Sequence, residues 1–218
     1  MHIFNLKLLA ANIKAQEEFY TKVFNFPLLE SSTEKIEFQV GSSRLTFLQA
    51  LAFETGPYHF AFNIPENHFD EATEWIRQYV PLIPDATGID TFYSESWDAH
   101  MLYFYDPAGN IVELIARHTL PSTSQQAFSR ESILCVSEIG IATDDVNAEV
   151  ALIVERSKIS VYRGAGSENF SALGDENGLF VVVKQGRIWF PETGKAANPL
   201  PITVITKGAS EKIIWQFP

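Results

Sequence analysis

The chain has 218 residues, a hydrophobic fraction of 46% and a charged fraction of 20%, a balance typical of a globular protein with material for a real core. Its formal net charge of −11 argues against nucleic acid as a partner, and no stretch approaches the roughly 20 apolar residues that span a bilayer. The single cysteine, Cys135 in the apolar run 133–136, excludes an intrachain disulfide and reads as a buried, inert thiol in a reducing compartment. Asn5, Lys7, Asn12 and Lys14 interrupt the N-terminal apolar stretch, so no signal-peptide pattern is present and the expected location is the cytoplasm.

In chain order, residues 3–10 read as a short apolar strand. Asn12 offers an N-cap, and Ala15, Phe19, Val23 and Phe24 fall at helical spacing until Pro27. Strands at 28–31, 35–40 and 44–50 follow, the last two joined by Gly41-Ser42-Ser43. The order β-α-β-β-β then recurs. Residues 58–64 form a strand, and a helix over 67–79 carries Phe69, Ala72, Trp75, Ile76 and Tyr79 along one side. After Pro81 and Pro84 come strands near 91–95, 100–105 and 111–117. Asp106-Pro107-Ala108-Gly109-Asn110 is a turn, because proline presets φ, glycine accepts positive φ, and Asp and Asn side chains bond to nearby backbone.

Residues 118–132, rich in Ser, Thr, Gln and Pro, read as a linker. A third, less regular cycle follows, with a strand at 137–143, a helix from Asp145 to about Arg156, and strands near 160–163, 179–184, 187–190, 202–206 and 212–217. The repeat predicts an α+β fold of tandem βαβββ modules, two of them forming a half-open barrel cup, with a third, degenerate module added. The expected divisions are paired modules at 1–50 and 57–117, the linker at 118–132, and the divergent module at 133–218.

The run Tyr103-Phe104-Tyr105-Asp106-Pro107-Ala108-Gly109-Asn110-Ile111-Val112-Glu113-Leu114 resembles the closing hairpin of the vicinal-oxygen-chelate superfamily (glyoxalase, bleomycin-resistance and extradiol dioxygenase proteins). Asn12 through Phe26 is similar to the first helix of those modules, with Asn25 where glycine is common, and Tyr58-His59-Phe60-Ala61-Phe62 is similar to an opening strand. The resemblance covers residues 1–117 well and 134–207 weakly.

It implies a cup holding a divalent metal (Fe, Mn, Ni or Zn) on residues from the first and last strands of paired modules. His59 and Glu113 are the implied ligands, on strand faces shared with Ala61 and Asn63 and with Ile111 and Ile115. Asn5 and Gln49 occupy the first module's ligand slots, and neutral amides are poor ligands for transition metals. In the third module the opening position falls at Ser137 or Glu138 with no acid closing 202–206, so that module is expected to hold no metal. Tyr103 and Glu113 are the implied catalytic residues. Asn5, Phe47, Gln49, Trp97 and His100 are the expected substrate contacts, although the histidine spacing expected for ring cleavage is missing. Gly164-Ala165-Gly166 lacks the lysine and helix of a phosphate cradle.

Two readings stay open. One is a metal-dependent lyase, isomerase or ring-cleaving dioxygenase acting on a small oxygenated or aromatic molecule. The other is a metal-free binding protein or a degenerate scaffold. An odd module has an uncovered sheet face, so a homodimer is also expected.

Overall fold

The computed structural model describes residues 1–207 and 212–218. The first module comprises β1 (Ile3–Ala10), α1 (Ile13–Lys22), β2 (Leu28–Ser31), β3 (Lys35–Val40) and β4 (Ser43–Gln49). The second comprises β5 (His59–Ile64), α2 (Phe69–Ile76), β6 (Thr91–Ser94), β7 (Ala99–Tyr105) and β8 (Ile111–Arg117). The third comprises β9 (Cys135–Thr143), α3 (Val146–Ser157), β10 (Val161–Ser167), β11 (Phe170–Asp175) and β12 (Gly178–Lys184). Strands β13 (Ile202–Lys207) and β14 (Lys212–Phe217) complete the described chain.

Local chemistry explains the helix starts. Asn12 caps α1 by accepting from the Ala15 amide at 3.0 Å, and Asp145 does the same for α3 from the Ala148 amide at 3.0 Å. In each module the opening strand lies parallel to the closing strand, β1 with β4, β5 with β8 and β9 with β12. That leaves one edge of each opening strand unpaired within its own module. Backbone groups at such an edge need partners, and the way these edges pair decides the architecture.

The second and third modules join there. β5 runs antiparallel to β9, giving an eight-stranded curled sheet in the order β10-β11-β12-β9-β5-β8-β7-β6. β1 pairs instead with β13, in a six-stranded sheet ordered β14-β13-β1-β4-β3-β2. The pairing expected between modules 1–50 and 57–117 therefore does not form, because these neighbours meet through the helix layer rather than edge to edge. Tyr20 and Phe24 of the first module are wedged between the sheets. Tyr20 stacks on Phe47 at 5.6 Å between ring centroids, and Phe24 meets Phe62 at 5.7 Å and Trp75 at 5.3 Å. The third module is likewise not an unpaired remainder, since its opening strand pairs with that of the second.

The Asp-Pro-Ala-Gly-Asn turn reinforces this stacking. Asp106 accepts from the Ala108 and Asn110 amides to close the turn, with Gly109 at φ 77°. Its other oxygen accepts from Gln16 and Tyr20 of α1, at 2.8 and 3.0 Å. A turn in the second module thus anchors the helix of the first.

Two strand expectations change. Residues 187–190 form no strand beyond a single bridge from Ile188 to Ala196; Pro191 has no amide to donate, and Gly186, Glu192 and Gly194 take positive φ. Conversely, 170–175 is a strand, paired to β12 by a tight hairpin that brings Asp175 opposite Gly178. Among the described residues no helix is long and apolar enough to cross a membrane.

Candidate metal centre and ligand pocket

Alternation on β5 and β8 builds the site. Phe60, Phe62 and Ile64 of β5, with Val112 and Leu114 of β8, face the main core. Ala61, Ile111 and Ile115 face the concave side of the eight-stranded sheet, and His59 and Glu113 share that side. Glu138 enters from β9, where the antiparallel register sets it opposite Ala61, the residue that pairs with Glu113 on the other side. Three strands from two modules thus bring one imidazole and two carboxylates together.

All three residues are buried, and one ligand atom from each lies within 4.8 Å of the other two. His59 Nε2 stands 3.6 Å from Glu113 Oε2 and 3.9 Å from Glu138 Oε2. His59 Nδ1 lies 3.3 Å from the Ile111 carbonyl. A carbonyl only accepts, so Nδ1 donates there and Nε2 is the ring atom turned toward the cup. One oxygen of Glu138 is taken by the fully buried Arg117, whose Nε also donates to Asn63 Oδ1 at 3.3 Å. The Arg117 guanidinium lies 5.3 Å from the centre of the Trp97 ring and 5.7 Å from that of Tyr162. Glu113 Oε1 is buried with no hydrogen-bond partner.

Electrostatics follow from this burial. Desolvation pushes the Glu113 carboxyl well above its ordinary value, and the neighbouring Glu138 pushes it further. Burial, then the Glu113 charge, raises the Tyr103 phenol well above 10. A divalent cation held between His59 Nε2 and the Oε2 atoms that face it would relieve both carboxylates. The separations of 3.6 and 3.9 Å lie within the roughly 4 Å that two metal–ligand bonds of about 2 Å can bridge. The donor set therefore fits a divalent ion.

Above this floor is a cavity of about 180 Å³. Trp97, Met101 and Tyr103 form one wall and Phe170, Val181 and Val183 another, while Arg187, Trp189 and Phe190 come from the segment that follows β12. The Trp189 ring lies 5.1 Å from that of His59.

The structure thus brings His59, Glu113, Tyr103 and Trp97 into one pocket and leaves four expected contacts outside it. Asn5 belongs to the six-stranded sheet, donating to Glu37 at 3.2 Å and accepting from Thr46 at 3.1 Å. Phe47 is fully buried against Tyr20. The Gln49 amide donates to the carbonyls of Ala11 and Ala50 at the exposed end of β4. His100 alternates with the cup-facing Met101 and Tyr103, so it packs on Phe69 at 5.1 Å and bonds His118 at 2.7 Å. The sequence leads one to expect no donor in the cup from the third module, on the ground that no acid closes 202–206; its closing strand is β12, and Glu138 of its opening strand stands beside His59 and Glu113. A sequence signal for this existed: Glu138 is the lone charge inside the apolar run 133–142.

No protein-family model matches the chain, and no curated protein matches it. Solved structures do. A candidate dioxygenase from Bacillus subtilis superposes with a TM-score of 0.62 at 11% identity, covering 84% of this chain and 63% of that one. A mutant of glyoxalase I from Zea mays superposes with a TM-score of 0.51 at 14% identity, covering 84% of this chain and 67% of that one. The chain thus spans less than two thirds of the Bacillus protein's length. With the module order and the curled sheet, these likenesses establish that the chain has the vicinal-oxygen-chelate fold.

Proposed function

We propose that the cup binds a divalent metal ion through His59, Glu113 and Glu138 and acts on a small oxygen-bearing molecule. The observation that carries this reading is the convergence of one imidazole and two buried carboxylates at the floor of an otherwise apolar pocket. Two buried acids that share a single buried cation, Arg117, are costly, and a protein keeps such a pair where it does work. One nitrogen and two oxygens suit borderline-to-hard ions such as Mn(II) or Fe(II), with Ni(II) and Zn(II) also accommodated.

When bound, the ion supplies Lewis acidity that stabilises negative charge on a substrate oxygen. The chain's own residues do the rest. The Ile111 carbonyl holds the His59 ring through Nδ1 so that Nε2 faces the cup, and Arg117 holds one oxygen of Glu138 so that the other faces His59. Tyr103 keeps its proton at every ordinary pH and offers an O–H to a substrate oxygen. Glu113 Oε1, which has no other partner, takes a proton from the substrate and returns it at a neighbouring atom. Trp97 and Trp189 wall the floor from water. His59 is the one histidine among the described pocket residues, which favours proton-transfer chemistry of the isomerase or lyase kind over ring cleavage.

A second reading, metal-free ligand binding, draws support from Arg117, which already neutralises Glu138. Metal analysis separates the two. Protein stripped of metal and reloaded with Fe(II), Mn(II), Ni(II) or Zn(II) is expected to retain about one ion per chain, and Glu113→Gln or His59→Ala to weaken retention at least ~10-fold. Equal metal content in wild type and Glu113→Gln sinks the metal reading and leaves the metal-free one.

A further inference from the structure

We infer that the pocket selects a single-ring aromatic carboxylate, with Arg187 at the mouth binding the acid group and the opposite edge of the ring facing the His59–Glu113–Glu138 floor. The inference rests on the reading of the cup as a ligand site and adds to it a substrate class and a specificity residue. The size comes first. A dry apolar cavity of roughly 150 Å³ accommodates benzene, so about 180 Å³ suits one substituted ring. The walls agree, since Trp97, Phe170, Trp189 and Phe190 offer flat apolar faces that favour another ring.

Charge then orients the ligand. The bound ion and Arg117 together offset the two floor carboxylates, so the floor does not by itself fix where an acid group goes, and a separate cation decides its place. At the opposite end Arg187 lines the pocket, and it is exposed. Among the described residues no carboxylate lies within ion-pair distance of its guanidinium. The guanidinium lies 5.0 Å from the centre of the Phe170 ring, itself part of the pocket wall. Its backbone is pinned on both sides, the amide donating to Lys184 at 3.1 Å and the carbonyl accepting from Ala197 at 2.8 Å. A guanidinium with no acid partner, carried on a pinned backbone beside an aromatic wall, is a receptor for a planar carboxylate, which its fork geometry matches.

The test is a tryptophan-fluorescence titration of Zn(II)-loaded protein with two probes sharing the same ring oxygens, 3,4-dihydroxybenzoate and catechol. Wild type is expected to bind the acid about tenfold more tightly. Arg187→Leu should lose the preference for the acid over catechol, and Arg187→Lys should restore part of it. Equal affinities in wild type, undiminished preference in Arg187→Leu, or no binding of either probe would each overturn the inference. The metal reading fails separately. A carboxylate preference that persists in protein retaining no metal removes that reading alone, whereas metal retention without a carboxylate preference removes the Arg187 assignment alone.

Discussion

At the scale of single residues, His59 and Glu113 were legible through the resemblance of their strands to a known module pattern, and strand alternation then put each on the concave face. Expecting both Tyr103 and His100 in the cup ran against alternation, which puts residues three apart on opposite faces; with Met101 and Tyr103 facing inward, His100 must face α2. There it makes a pH-sensitive pair. Burial, then the charge of His118, lowers the His100 pKa, while Asp70 and Asp98 pull it back up, and Tyr93 lies against the ring at 4.8 Å. The folded state therefore binds this proton less readily than the unfolded chain. The associated stability is fully present above the unfolded value of about 6.5 and is lost as pH falls through the lowered folded value. Thermal melts between about pH 7.5 and 5 should show Tm falling with acid, and His118→Asn should shallow that fall. An unchanged slope in the variant would remove the pair from the account.

At the scale of elements, the segment after β12 was the hardest to read. Residues 187–190 have strand composition, yet positive φ at Gly186, Glu192 and Gly194 folds them across the pocket as a strap. Sequence periodicity carries no sign that Trp189 lies over His59, because the contact depends on Gly140 of β9. A Cβ at Gly140 would come within 2.4 Å of the Trp189 ring. Gly140→Ala is thus expected to displace the indole and destabilise the fold by about 1–3 kcal/mol, the usual cost of overpacking, measured by urea unfolding. It should also weaken binding of aromatic probes. A variant as stable as wild type with unaltered probe affinity would show that the strap is not seated on β9. Strand β11 escaped notice for the opposite reason, since its Gly174 and the following polar turn mask a pairing that β12 imposes.

At the scale of the whole molecule, the βαβββ repeat was legible because each module is a local pattern, but the choice of which modules pair was not. That choice depends on how the aromatic residues of α1 stack against β5 and on which opening-strand edges meet, and neither leaves a local mark on the sequence. The outcome decides the chemistry, because pairing β5 with β9 brings Glu138 of the third module to His59 and Glu113 of the second. Mn(II) titration of Glu138→Gln, followed by the EPR signal of the free ion, tests this most directly. The shared centre predicts affinity at least ~10-fold below wild type, with the circular dichroism of the fold retained. Wild-type Mn(II) affinity in Glu138→Gln, alongside lost affinity in Glu113→Gln, would contradict a centre shared between the two modules.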